Sequence, residues 1–437
     1  MLQKIYSGHF FHLPLAIFLV MILVFTQCSE PYTPTDKSIS AIIKTLSSDE
    51  MRGRQAFTKD VEVAEDFIAS EFENIGLSTY SEQNGFKQNF ILNEISISKK
   101  SITLDGKPLK DELFFAILNG QNINWKTNGI EVAEITAKDN FRAKFQEYSN
   151  SESDLMVFIS PEFSDIFGRY QNFFSRPSRS MEGDNSGNIV FILAPTPNSF
   201  SVQLEPNIEE KGLANIVGMI PGNRTNEFVL FSAHHDHIGI RMDVEGDSIA
   251  NGANDNASGV TAVIELAKYF KSKNKPERTL VFATFTAEEA GGYGSQYFSK
   301  QFNPDEIIAM FNIEMIGKPA VSGPNTAWIT GYERSDFGEL LSKSTEGTEY
   351  EFYADPYPQQ NLFYRSDNAT LARLGVPAHT ISTTPIDVDK DYHQVSDEFE
   401  TINISHLTNT IKAIARAAQG IVSGRDTPTR VDASLVD

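Results

Sequence analysis

The stretch from Phe231 to Gly294 constrains this chain more than any other. It reads FSAHHDHIG at 231–239, NGANDNASG at 251–259 and TFTAEEAGGYGS at 284–295. The apolar run Phe228-Val229-Leu230-Phe231 leads to His234, and a second run, Val281 to Phe285, stops just before Glu288-Glu289. Between them Val260, Val263, Ile264, Ala267 and Phe270 recur at helical spacing from Ser258 to Lys271. Strand, loop, helix, strand, loop, helix is the unit of an open parallel sheet. In such sheets ligands bind beyond the carboxyl ends of the strands. Here those ends present His, Asp and paired Glu, residue types that ligate metals and carry protons.

The rest of the chain supports an α/β architecture. We expect a three-layer, mostly parallel sheet with helices on both faces and an inserted β-rich domain. Val61, Val63, Ala64, Phe67, Ile68, Phe72 and Ile75 predict a helix over 60–75, closed by Gly76. From 83 to 209 the character changes to short β-like runs such as 155–159 and 189–193, punctuated by Asn, Ser and Pro, which we read as the insert. The run 214–220 predicts a strand paired with 228–233 across Pro221-Gly222-Asn223. Further strands are expected at 307–315, 327–330 and 377–382, helices at 336–344, 368–374 and 404–421, and a loose tail at 426–437. The main domain is thus expected from 37–82 and 210–425.

Taken singly, the polar residues of these motifs are ambiguous. Asp255, among small residues at a helix start, suits a bridging metal ligand or an ordinary turn aspartate. Glu288-Glu289 suits a metal ligand beside a proton acceptor, or a solvated pair favoured by the helix dipole. Burying both carboxylates without a cation is unfavourable. His234-His235-Asp236-His237 offers a metal ligand and a group to orient it. The formal net charge of −21 argues against a nucleic-acid partner, which needs clustered Lys and Arg.

The one cysteine, Cys28, can form neither an internal disulfide nor a thiolate cluster. Residues 1–27 carry a single charge, Lys4, and an apolar run from Leu13 to Phe25, the pattern of a signal-peptide core. Cys28 follows at once and opens a linker over 28–36, which resembles a bacterial lipoprotein signal. The expectation is an exported cell-envelope protein, in the periplasm or at the outer membrane, anchored to a membrane through lipid on Cys28.

His, Asp, Glu-Glu, Glu and His occur in that order along the chain. With AHHDHIG, NGANDNASG, FTAEEAGGYGS, FNIEMIG, RSDNATLARLGVPA and DYHQVSDEF, the chain resembles the dinuclear-zinc exopeptidases of the bacterial leucyl-aminopeptidase and glutamate-carboxypeptidase type. SSDEMRGR at 47–54 resembles the amino-terminal signature of that family. The resemblance implies two zinc ions, one held by His234 and Glu314, one by Glu289 and His393, with Asp255 bridging. It implies Glu288 as general base, Asp236 orienting His234, and Tyr392 polarising the scissile carbonyl. The resemblance implies an exopeptidase; the acidic residues near the motifs make attack at the amino terminus of short peptides the expected direction. A carboxypeptidase, a glutaminyl cyclase or a non-catalytic peptide-binding lipoprotein are the alternatives. Asp367, Asp387, Asp389 and Asp391 are expected as acceptors for a substrate ammonium, against Arg365 and Lys390 as the basic groups a carboxypeptidase needs.

Overall fold

The computed structural model of the protein describes Met1 and residues 31–80, 85–181 and 187–436. The signal segment and Cys28 lie outside these stretches. Helix α1 (Asp36–Leu46) is capped by Thr35 and buries Ile39, Ile42, Ile43 and Leu46, one stripe of a 3.6-residue period. Helix α2 (Lys59–Ile75) starts at the Thr58 cap and ends at Gly76, whose φ of 75° is left-handed and free of a Cβ penalty.

A long strand, β1 (Lys87–Leu104), leads into the insert. There β2 (Phe114–Ile117), β3 (Glu131–Ile135), helix α3 (Phe141–Ser149), β4 (Leu155–Ile159), helix α4 (Ser164–Phe174) and β5 (Ile189–Leu193) follow in order. The strands form a sheet in the order β2-β5-β4-β3. One of its faces packs Phe115, Phe167 and Phe191 beneath α3 and α4, with Phe115 stacked 5.2 Å from Phe174. The other packs Met156, Phe158, Val190 and Ile192 against Ile95, Val202 and Leu204. The two helices are additions to the strand-rich expectation. Phe141, Phe145 and Tyr148 do stand at helical spacing, but within a stretch whose Asn and Ser content reads as loop. The exit strand β6 (Phe200–Ile220) runs through residue 209 without a break.

The central sheet continues with β7 (Arg224–His234), helix α5 (Ser258–Lys271), β8 (Arg278–Phe285), helix α6 (Tyr293–Ser299) and β9 (Ile307–Ile313). Then come β10 (Thr326–Ile329), helix α7 (Phe337–Ser344), β11 (Glu351–Ala354), helix α8 (Asn368–Ala372), β12 (Ala378–Ser382) and helix α9 (Ile404–Ala417). Its strand order is β11-β10-β12-β9-β7-β8-β6-β1. β7 is parallel to both β8 and β9, and β9 is parallel to β12. Alternate residues divide between two layers, as a pleated strand requires. Val229, Phe231, Phe282 and Phe311 face α1, α2, α5 and α9, whereas Leu230, Val281, Ala283 and Met310 face α6 and α8. Every residue of β8 is buried. Phe231 stacks between Phe282 at 5.4 Å and Phe311 at 4.9 Å; full burial of such a ring contributes about 1.5–3 kcal/mol.

Two expectations are corrected. The strands 214–220 and 224–234 do not pair with each other: β8 lies between them, antiparallel to β6 and parallel to β7. The link crosses the start of β8, where Gly222 N donates to Thr279 Oγ1 and Asn223 N to Pro276 O. Strands two apart are separated by about 10 Å, which three extended residues span. A Cβ on Gly222 would stand 2.5 Å from Thr279 N, so only glycine permits the crossing. The segment after 425 is also not loose. The buried Arg278 guanidinium donates to Asp426 O at 2.6 Å and Thr427 Oγ1 at 2.6 Å, Arg430 reaches Ile307 O at 2.9 Å, and Val431 is buried.

Candidate metal centre

The polar motifs converge beyond the carboxyl ends of β7, β8 and β9. His234 is the last residue of β7, Glu288-Glu289 follow β8, and Glu314 follows β9. Asp255 sits in the turn that enters α5, whose Asp255–Asn256 peptide is cis. His393 arrives on the loop after β12 with φ 56°.

Asp255 is the pivot. Its Oδ1 lies 3.3 Å from His234 Nε2, and its Oδ2 lies 3.3 Å from His393 Nε2. Two groups of donor atoms therefore share this carboxylate. One is His234, Asp255 and Glu314; the other is Asp255, Glu289 and His237, with His393 Nε2 3.1 Å from Glu289 Oε2. The sequence-expected ligands His234, Asp255, Glu289, Glu314 and His393 are all brought together. His237, to which the sequence assigns no role, joins them, its Nδ1 2.9 Å from Glu289 Oε1. Its signal is the HDH pattern: in extended chain residues 235 and 237 would share a face, and the end of the strand at His234 lets the two side chains diverge. His235 turns away instead, with Nδ1 3.1 Å from Thr284 Oγ1.

These residues suit divalent cations. His234 Nε2 stands 3.3 Å from Asp255 Oδ1, and His237 presents Nδ1 to Glu289 Oε1 at 2.9 Å and Asp255 Oδ2 at 3.9 Å, all buried or nearly so. Around them stand the carboxylates of Asp255, Glu288, Glu289 and Glu314, a set whose burial is costly without a compensating cation. The titration behaviour expresses the same crowding. Burial first, then Glu314, Asp367 and Glu289, push the Glu288 carboxyl well above the ordinary range, against the opposing field of His234. For Asp255 burial acts upward, but contacts with His234 and His393 hold the carboxyl well below its usual value. For Glu289 burial and Asp255 act upward, and His237 with His393 bring it down to about 2. An imidazole–carboxylate donor set of this kind is the chemistry zinc accepts.

The supporting groups show a division of labour. Asp236 does not use its carboxylate on His234: Oδ1 and Oδ2 accept from Glu288 N at 3.0 Å and Glu289 N at 3.3 Å. His234 Nδ1 meets the Asp236 main-chain carbonyl at 3.1 Å, while the carboxylate is 3.9 Å away. The chain turns at Ala287, with φ 56°, and so aims both glutamate amides at Asp236. Ser366 Oγ donates to Glu314 Oε2 and is itself held by Asn312 Nδ2 at 2.7 Å. Asp397, which lies in the DYHQVSDEF stretch but for which the sequence suggests no role, accepts from Asn254 N at 3.0 Å and Asp255 N at 2.9 Å through its carboxylate.

Tyr392 stacks on His393 at 4.0 Å, and its hydroxyl is 3.4 Å from Arg365 Nη2. Burial and then Asp255, Glu289 and Glu314 raise its hydroxyl, so it stays protonated. Two of the expected ammonium acceptors are already paired: Lys318 Nζ lies 2.6 Å from Asp389 Oδ1 and 2.8 Å from Asp391 Oδ2. Asp367 is buried beside the centre, and neither carboxylate oxygen has a hydrogen-bond partner among the described residues.

Residues 215–418 match the family model described as peptidase family M28. Leucine aminopeptidase 1 of Ajellomyces capsulatus is 26% identical over 264 residues, 56% of this chain and 66% of that protein; the chain thus spans just under two thirds of that relative. Among solved structures, a zinc aminopeptidase from Bacillus subtilis aligns over 91% of this chain and 98% of its own, with TM-score 0.54 and 16% identity. An aminopeptidase from Aneurinibacillus sp. strain AM-1 aligns over 89% and 94%, with TM-score 0.52 and 18% identity. At these identities the two structures establish the shared fold.

Proposed function

With residues 215–418 matching peptidase family M28, we propose that the chain is a zinc-dependent aminopeptidase that hydrolyses short peptides at two zinc ions. The observation that carries the two-metal reading is Asp255, whose two oxygens face separate ligand groups. His234 and Glu314 would hold one ion with Asp255; Glu289 and His393 would hold the other.

Two bound zinc ions lower the pKa of a water and polarise a peptide carbonyl. The chain supplies the proton traffic. Glu288, next in sequence to Glu289 and partly buried beside the centre, takes a proton from the attacking water in its ionised form and delivers it to the leaving amine. Its main chain is fixed by Asp236, so the carboxyl is aimed without depending on substrate. Tyr392, protonated and steadied by Arg365, donates to the carbonyl oxygen as negative charge develops there. The amino-terminal direction is supported by the name of the leucine aminopeptidase relative and by buried, unpaired Asp367 as a candidate ammonium acceptor.

Glu288→Gln tests the base. Turnover should fall by about 10²–10⁴-fold with zinc content near wild type; retained activity rejects the assignment. Direction is read with a tetrapeptide free at both ends, one acetylated at its amino terminus and one amidated at its carboxyl terminus. Acetylation should block cleavage and amidation should not. The reverse makes the protein a carboxypeptidase, and conversion of an amino-terminal Gln peptide to its pyroglutamyl form with loss of ammonia, the peptide bonds intact, makes it a cyclase.

The lone cysteine after the apolar run of residues 13–25 also leads us to infer a lipid on Cys28 and a cell-envelope location. Among the described residues no helix is long and apolar enough to cross a membrane. A labelled fatty acid should mark wild type and not Cys28→Ser; equal labelling of both, or of neither, removes the idea.

A further inference from the structure

Arg54 lies in the SSDEMRGR turn, distant in sequence from every ligand, and its side chain is 1% exposed. Among the described residues its side-chain hydrogen bonds go to main-chain carbonyls. Nε donates to His235 O at 2.9 Å, Nη1 to Leu46 O at 2.5 Å and Asn251 O at 2.6 Å, and Nη2 to Gly252 O at 3.0 Å. His235 O belongs to the loop that carries His234 and His237. Asn251 O and Gly252 O belong to the turn that carries Asp255. A planar guanidinium with donors in a fixed fork can hold two chains at one spacing, which a single ammonium cannot. The main chain joins the same clamp: His237 N donates to Arg54 O at 3.2 Å.

The turn that delivers Arg54 is strained. Arg52, Gly53 and Arg54 have φ of 49°, 70° and 49°. Left-handed backbone at a non-glycine residue is unfavourable and persists where the surroundings impose it. Here the surroundings are tight: a Cβ on Gly53 would sit 2.6 Å from Ala250 O and 2.7 Å from Gly239 Cα. The Asp255 turn is held from its other side by Asp397, which takes the Asn254 and Asp255 amides. A cation therefore grips the carbonyl side of this turn, and an anion grips its amide side.

We propose that Arg54 is a positioning residue of the metal centre, a clamp that sets the spacing between the His234 loop and the Asp255 turn before metal binds. This rests on the two-zinc reading of the site. Because Arg54 touches no ligand side chain, its effect passes through the backbone of both ligand-bearing segments.

The test measures zinc rather than turnover. Arg54→Lys keeps the charge but has no fork, and Arg54→Met removes both. Zinc affinity is measured by competition with a chromophoric chelator, and cobalt-substituted protein gives the d–d spectrum of the ligand geometry. Both variants should bind zinc about 10–100-fold more weakly, the range typical of lost supporting contacts, with an altered cobalt spectrum and native circular dichroism. A role confined to holding the fold predicts lower melting temperatures with zinc affinity and cobalt spectrum intact, and that result overturns the proposal. Wild type is measured alongside: if it binds no zinc, the metal centre itself falls and this proposal with it. If the variants do not fold, hydrogen exchange on metal-free wild type decides. The clamp requires slow exchange at 234–238 and 251–256 without metal, and exchange as fast as in exposed loops refutes it.

Discussion

His406, in α9, offers a sharp measurement of what burial does to a titratable group in this protein. It is 3% exposed, and neither ring nitrogen has a hydrogen-bond partner among the described residues. Burial alone holds its pKa at about 4, below the ordinary 6.5. The unfolded chain therefore binds a proton between pH 6.5 and pH 4 where the folded chain does not. Stability from this residue is intact above pH 6.5 and is lost progressively as pH falls toward 4. A tenfold difference in proton affinity between the two states is worth about 1.4 kcal/mol, so the loss at pH 5 is about 2 kcal/mol. His406→Leu keeps an apolar, helix-favouring side chain and removes the titration. Urea unfolding at about pH 7.5 and about pH 5, with chelator present so that proton-linked metal release does not contribute, gives the drop in stability for each protein. Wild type should lose about 2 kcal/mol more than His406→Leu between the two pH values. Equal drops would refute the reasoning, as would an imidazole resonance that titrates near the ordinary value.

Three further perturbations follow from the same contacts. Lys318→Met leaves Asp389 and Asp391 without their cation beside the His393 loop; stability should fall by about 1–3 kcal/mol, the cost of leaving partly buried charged groups without their partner, and calorimetric titration should show weaker zinc binding. Gly252→Ala puts a Cβ on a residue with φ 56°, pressed on the Asp255 carbonyl and 2.5 Å from the His237 ring; zinc content after dialysis should drop, and full retention would show that the turn gives way. Arg278→Met removes the guanidinium that holds Asp426 and Thr427; limited proteolysis should then cut after residue 425, a site protected in wild type.

Much of the central sheet is legible in the sequence because its strands are buried on both faces and read as continuous apolar runs, as at Val281 to Phe285. The order of strands is not legible. Residues 214–220 and 228–233 look like a hairpin, since Pro221-Gly222-Asn223 between them is a turn signal. Only the need of β8 for partners on both edges reveals that it separates them. In the insert, the aromatic spacing of α3 is present but hidden by polar neighbours. The segment after 425 looks like a tail because its anchors, Arg278 and Arg430 with its Ile307 contact, tie residues that are distant in sequence.

The sequence by itself determined which residue types stand at the strand ends. Strand patterning is a local property; the set His234, Asp255, Glu289, Glu314 and His393 with Glu288 is implied by resemblance to a known family, and the structure brings those side chains together. The tertiary structure alone decided how those ligands are held. Asp236 supports the Glu288-Glu289 amides rather than His234 through its carboxylate, His237 turns inward while His235 turns away, and Lys318 occupies two aspartates that look free in the sequence. Arg54 and Asp397 reach the turn of Asp255 from about 200 and 140 residues away. Both residues lie in stretches that resemble family motifs, but contacts of that kind form between chain segments that meet only when the sheet has closed, so no local pattern says what they hold.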